Sequence, residues 1–249
     1  MRWWVYVIVG CLAYLFTLIA SLPIQHVAYL LTSSGLPLVI GQISGTVWQG
    51  EAAQVSYQNV PLGPASWRFV PLGLLQGQIE YAIELNNSDH AMGGYITKDL
   101  LSDGFRLSEF KGQLPADSLL KLSNQTNLNA NGQLDLDLQK LQISHRQIIS
   151  AQGEIRWLDA GIERPFRAVL GNLQFNLSGD EQAIKSEIKQ LDGPLQVNGE
   201  LTLSPDGSYQ LKGNVKPTNG ADPGLISLLQ SIGRRANDGS IRIDYSGRM

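Results

Sequence analysis

One cysteine, Cys11, stands in a chain of 249 residues. A disulfide within the chain is therefore excluded, and so is a metal site built on cysteine. Histidine is nearly as scarce. His26, His90 and His145 are scattered, with no Cys or Glu at ligand spacing. No Gly-x-Ser-x-Gly elbow occurs, and the glycine-rich stretches lack the Gly-Lys-Ser/Thr ending of a phosphate loop. Positive charge is not in excess. The formal net charge is −3, which gives no footing for a nucleic-acid partner. Asp135 and Asp137 share a strand face, as an acid–base pair would. Alternating acids on a wet face need nothing beyond solvent, however. Without a nucleophile, base and orienter set, the chain is read as non-enzymatic, with no metal and no cofactor.

Charge is also missing from one long run. Trp3 to Leu22 reads WWVYVIVGCLAYLFTLIASL, without Asp, Glu, Lys or Arg. Its length is close to the roughly 20 residues of a helical membrane span. Trp3, Trp4 and Tyr6 crowd one end, as interfacial aromatics do, and Arg2 lies just outside. The next cationic residue is Arg68. That bias predicts a cytoplasmic N-terminus and a periplasmic remainder. A cleaved signal peptide fits less well, because cutting after Ala20 or Ser21 puts Leu18 or Ile19 at the −3 position. Pro23 is expected to open a short juxtamembrane helix carrying Val27, Leu30 and Leu31 on one face.

The remainder of the chain is built by twos. LDLDL from Leu134, LQFNL from Leu173, LQVNGELTL from Leu195 and IRIDY from Ile241 alternate apolar with polar, the pattern of a sheet with one greasy face. Turn signals separate these runs, and a hairpin from Leu195 to Val215 is expected around Asp206-Gly207. A strand type beginning with glycine recurs at Gly77, Gly132, Gly153 and Gly199 at irregular spacing. One helix is expected near the end, from Asp222 to Ala236. Asp222 would cap it, Leu225, Leu228, Leu229 and Ile232 would form its apolar face, and Arg234 and Arg235 would complement its C-terminal dipole. The fold is thus expected to be mainly β and membrane-anchored. It would be a long curved antiparallel sheet or open barrel with one short C-terminal helix. Residues 1–24 form the anchor, 25–40 the juxtamembrane helix and linker, and 41–249 the periplasmic β domain.

Candidate structural or partner-contact residues are Gly45, Trp48, Gly50, Trp67, Pro71 and Trp157. The stretch GTVWQG, Gly45 to Gly50, is expected to be the first strand, with Val47 and Trp48 on opposite faces. Large rings such as Trp48, Trp67 and Trp157 are expected in the core of a sheet.

The same residues carry a resemblance. ISGTVWQGEA from Ile43 is followed by ASWRFVPLGLLQGQIEY from Ala65, then GEIRWLDAGI from Gly153, and finally DGSYQLKGNVKPT, a helix and DGSIRIDYSGRM. In this order they resemble the type II secretion system protein N family over almost the whole chain. The resemblance implies an inner-membrane component of the machine that exports folded proteins across the outer membrane. It also implies partners among the other inner-membrane subunits and no enzymatic activity. A second reading stays open on the sheet pattern alone, a periplasmic protein that holds or passes a lipid acyl chain. It gains if Leu134, Leu136, Leu173, Phe175, Leu201 and Leu203 line an open groove, and loses if the helix and opposing strands fill it.

Overall fold

A strand shows every second side chain to one face, so a chain of many alternating strands hides its apolar set by pairing them side by side. In the computed structural model this pairing begins at Leu38 and continues to Arg248. Residues 3–25, 37–58, 60–87, 90–102, 104–122, 129–144, 147–164, 167–180, 182–218 and 221–248 are described. Among the described residues fourteen strands form one antiparallel sheet. They are β1 (Leu38–Gly45), β2 (Gln49–Tyr57), β3 (Val60–Phe69), β4 (Gln78–Asn87), β5 (His90–Asp99), β6 (Phe105–Pro115) and β7 (Asn129–Ser144), then β8 (Gln147–Arg164), β9 (Ala168–Asp180), β10 (Ala183–Asp192), β11 (Leu195–Leu203), β12 (Ser208–Pro217), β13 (Arg234–Arg235) and β14 (Ile241–Arg248). Each strand pairs with the next in sequence up to β12; β14 follows β12, and β13 lies outside it. The order begins at β1 and ends at β13, so the sheet is open.

The register aligns the alternation across the whole sheet. Ile43 faces Ala52, Ala52 faces Ala65, and the row continues through Leu85, Met92 and Gly112. It goes on through Leu136, Ile155, Phe175 and Ile188, then Gly199, Gly213 and Ile243. From β1 to β14 this row holds no polar side chain. One residue along, on the other face, the row is Ser44, Glu51, Ser66, Glu84, Gly93 and Lys111, followed by Asp137, Glu154, Asn176, Glu187, Glu200, Lys212 and Asp244. Glu187 and Glu200 face each other directly, which repels. Lys189 answers Glu187 at 3.0 Å and Lys185 answers Glu200 at 3.8 Å. Bulges interrupt the ladders, for example where β8 shifts against β9 between Trp157 and Ala160. There Asp159 takes φ 50° and its N–H is held by Asn172 Oδ1 at 2.8 Å. Such bulges raise the local twist of a long sheet.

Two helices cover part of the apolar face. Helix α1 (Trp3–Ala20) precedes the sheet. Helix α2 (Ala116–Leu122) packs Ala116 against Leu114, Ala130 and Leu134. Seven residues are too few for a helical period to stand out, which is why α2 escapes sequence reading. Helix α3 (Pro223–Ile232) buries Leu225 and Leu229 against Leu195, Val215 and Ile241.

Three expectations are corrected. Gly45 to Gly50 is not the first strand. β1 ends at Gly45, β2 starts at Gln49, and Thr46 to Trp48 make the turn between them. The last helix stops at Ile232, because Gly233 is extended and Arg234 and Arg235 pair with Arg242 and Ile241 as β13. The open edge of β14 offers unpaired backbone groups, and these residues satisfy some of them instead of adding a helical turn. Asp222 sits at the N-cap but makes no side-chain cap bond; its carbonyl accepts from Ile226 N at 3.0 Å. His26, His145 and the stretch holding Val27, Leu30 and Leu31 lie outside the described residues.

Candidate functional site

The β1–β2 turn owes its shape to its glycines. Gly45 has φ 100°, the left-handed region that favours glycine. Gly50 faces Trp67 across the ladder, and a Cβ there would run into the Ser44 carbonyl and the Trp67 ring. The bare Gly50 therefore seats the indole. Trp67 Nε1 then donates to the Thr46 carbonyl at 3.1 Å, fastening the ring to the turn.

Trp48 reaches the other way. Its Nε1 donates to the Ile19 carbonyl near the end of α1, at 2.8 Å. Beside it, Val47 N donates to the Leu22 carbonyl at 3.0 Å, and Pro23 bridges Thr46. The turn is thus stitched to the chain leaving the helix. The Trp48 ring meets Phe69 edge-on, with centroids 4.9 Å apart, and Phe69 meets Tyr81 at 5.5 Å. Burial pushes the Tyr81 hydroxyl pKa up. Sequence reasoning missed Phe69 and Tyr81. The signal was the spacing of Trp67 and Phe69, which puts both rings on one face of β3.

A cavity of about 290 Å³ opens on this face beside the turn. Ile24, Ile40, Ile43, Val47, Ala52, Val55, Ala65, Ser66, Trp67, Tyr81 and Ile83 line it. Ile43, Ala52 and Ala65 are the first three members of the apolar row, so the cavity is where that row begins.

Pro71 opens a 3₁₀ turn, Pro71–Gln76, directly after β3. This turn carries exposed leucines: Leu72 is 69 % exposed and Leu75 86 %. Leu100 N donates to the Gly77 carbonyl at 3.0 Å, which brings the turn after β5 alongside, and there Leu101 is fully exposed. These leucines and the end of α1 share one end of the strands. Gly45, Trp48, Gly50, Trp67 and Pro71 therefore gather at that end. Trp157 lies apart, on β8. Its Nε1 donates to the Asn131 carbonyl at 2.8 Å, and its ring packs beside the α2 cluster. The three indoles are all half-buried, each with its N–H on a main-chain carbonyl. Core burial alone does not describe them.

The ordered motifs around these tryptophans match the profile of a family described as Type II secretion system (T2SS), protein N, over residues 37–244. The chain belongs to that family. A type II secretion system protein N from Klebsiella pneumoniae is 29 % identical over 243 residues, covering 94 % of this chain and 91 % of that one. The protein of the same description from Vibrio cholerae is 28 % identical over 208 residues, covering 81 % and 82 %. The one from Pectobacterium carotovorum is 24 % identical over 229 residues, covering 89 % of each chain. No solved structure matches. The family match takes in the turn, the 3₁₀ leucines and nearly all of the sheet. It begins after α1.

Among the described residues no helix is long and apolar enough to cross a membrane. Helix α1 has 18 residues, or about 27 Å of helix, against a hydrocarbon core of roughly 30 Å. Its described side chains, Thr17 apart, are nonetheless largely apolar and exposed, with Trp3 at 74 %, Tyr6 at 66 % and Leu12 at 60 %.

Proposed function

We propose that this member of the protein N family is a non-enzymatic inner-membrane component of the type II secretion system. In this reading residues 1–24 form a retained anchor with a cytoplasmic N-terminus, and residues 41–249 form a periplasmic β domain. Residues 25–40 join the two. The domain supports export of folded proteins across the outer membrane through contacts with other inner-membrane subunits. No cofactor and no nucleic acid enter.

The observation that carries the reading is the junction of α1 with the sheet. A helix with apolar side chains exposed on all sides needs an apolar surround. The uncharged run continues past α1 to Leu22, reaching the roughly 20 residues of a span. Trp48, Val47 and Thr46 then bind the end of that run directly to the sheet. An anchor so fastened holds the domain close against the bilayer instead of on a loose tether. The exposed Leu72, Leu75 and Leu101 at the same end suit a greasy contact there.

The test joins topology to partners in secreting cells. A reporter at the C-terminus is expected to be active only in the periplasm, and the mature chain is expected to keep its full mass. A photoreactive residue at Arg68 is expected to capture another inner-membrane subunit of the machine. A cytoplasmic C-terminus, or a mature chain beginning near Ser21, defeats the anchor. Capture of no secretion subunit defeats the assembly role.

A further inference from the structure

The apolar row crosses the sheet from the cavity beside α1 to Ile243, which packs beside the α3 cluster. At about 4.8 Å per strand step it runs for roughly 60 Å. Apart from the buried Ala52, its members are half-buried, so most of their surface neighbours are present and one side stays open. Helix α2 covers the neighbouring positions Leu114 and Leu134, and α3 covers Leu195, Val215 and Ile241. Between and beside them Leu136, Phe175, Leu201 and Leu203 remain half-buried, while Leu134 and Leu173 are buried. No second sheet lies over this face among the described residues.

We propose that this row is a binding track for the acyl chains of membrane phospholipid, entered through the cavity at Ile24 and Ile43. Two features select a hydrocarbon. A peptide laid along the row brings backbone N–H and C=O groups that need partners, and the row has no polar side chain to supply them. A hydrocarbon needs none. The cavity also adjoins the chain leaving α1, with Ile24 in its wall and Trp48 on Ile19. On the anchor reading, on which this proposal rests, the track begins at the bilayer surface, so a lipid tail passes into it without crossing water. The polar row on the opposite face keeps water there and leaves the lipid one face to follow.

The experiment uses the full chain in cells, with a photoreactive amino acid at Phe175 or Ile188 on the track and at Asn176 or Glu187 on the other face. After illumination the purified protein is weighed by mass spectrometry. Phospholipid adducts at Phe175 and Ile188, and none at Asn176 and Glu187, are expected. Adducts to protein alone at the track, equal lipid yield on both faces, or no lipid at all overturn the proposal. A charge placed midway, Ile155→Lys, is expected to lower the lipid yield at Ile188 by about tenfold while a probe at Ile43 keeps its yield, because a hydrocarbon passing over the row would strip water from the new ammonium. The retained yield at Ile43 reports that the variant is folded, and equal yields at Ile188 with and without the charge overturn the track. Carbonate extraction of the same cells separates the two readings. Release from the membrane with track adducts intact removes the anchor and leaves the track; retention without adducts removes the track and leaves the anchor.

Discussion

The indole nitrogen of Trp48 stands 2.8 Å from the carbonyl oxygen of Ile19. The last carbonyls of a helix lack the usual i+4 donors; the Ile19 carbonyl accepts from Leu22 N at 3.3 Å, and the β1–β2 turn adds the shorter bond from Trp48. The bond ties two segments 29 residues apart in sequence.

Trp48→Phe should keep the edge-on contact with Phe69 and lose this bond, lowering the stability of the full chain by about 1 kcal/mol, the net worth of a typical hydrogen bond. Trp48→Ala should cost roughly 2 kcal/mol. That is below the 3–5 kcal/mol of a fully buried large aromatic, because the ring is half-buried. Thermal melts in detergent check both. An unchanged melt for Trp48→Ala means that the contact does not hold the junction.

Gly50→Ala should destabilise by about 1–3 kcal/mol, as overpacking does. The new methyl meets the Ser44 carbonyl and the Trp67 ring, and one must move. Gly10→Ala is the control, since nothing lies within 4 Å of that position. Similar melts for the two variants contradict the seat described for Trp67.

At the far end of the sheet, Ile241 is 1 % exposed beneath α3. Ile241→Ala should cost roughly 2–5 kcal/mol, in the range of buried aliphatic truncations. Hydrogen exchange should rise first in α3 and β14. A loss spread evenly over the sheet speaks against a local α3 core.

Two turn carboxylates set an acid-side dependence. Asp206 accepts from Ser208 Oγ at 2.6 Å and its N–H at 3.0 Å. Asp238 accepts from Ser240 Oγ at 2.6 Å and its N–H at 3.1 Å. The serine hydroxyl bonds come first in holding each pKa below the ordinary 3.8. A folded value below the unfolded one adds stability above the unfolded pKa, and that stability is lost as pH falls through the folded value. The melting temperature should therefore drop in this acid range. The drop should be smaller in the double variant Asp206→Asn, Asp238→Asn, whose amides do not titrate. Parallel curves for the two proteins exclude these turns as the cause.

The exposed leucines give a prediction for the end of the sheet beside α1, which the proposed anchor would hold against the bilayer. With Cys11→Ser as background, a cysteine at Leu101 should resist a membrane-impermeant thiol reagent in intact periplasm, while one at Glu187 reacts. Leu101→Asp should leave the melt within about 0.5 kcal/mol of the parent, as surface changes do. Equal labelling at the two positions places Leu101 in water and removes the greasy contact.

Period-two alternation in runs such as LDLDL and LQVNGELTL, with Asp-Gly turns between them, is enough to read a β sheet and the β11–β12 hairpin about Asp206-Gly207. These are local effects, since a strand's two faces and a turn's backbone geometry depend on residues next to each other. The ordered tryptophan motifs carry the family by the same local means. The turn at Thr46 to Trp48 is not legible, because Val47 and Trp48 are good strand residues by themselves; Thr46 closes the turn, its N–H donating to the Gln49 carbonyl at 2.8 Å and its hydroxyl accepting from Trp48 N at 3.3 Å, and the bonds to Leu22 and Ile19 add to it. Arg234 and Arg235 likewise read as the end of a helix, and only the open edge of β14 claims them for the sheet. The apolar row owes most to long-range pairing. Each strand carries its own alternation, but whether Leu136 faces Ile155 and Phe175 faces Ile188 depends on register. A slip of one residue would break the row on every strand beyond it. Local alternation was sufficient to guarantee a greasy face; pairing from β1 through β12 to β14 made that face continuous and set its start beside α1.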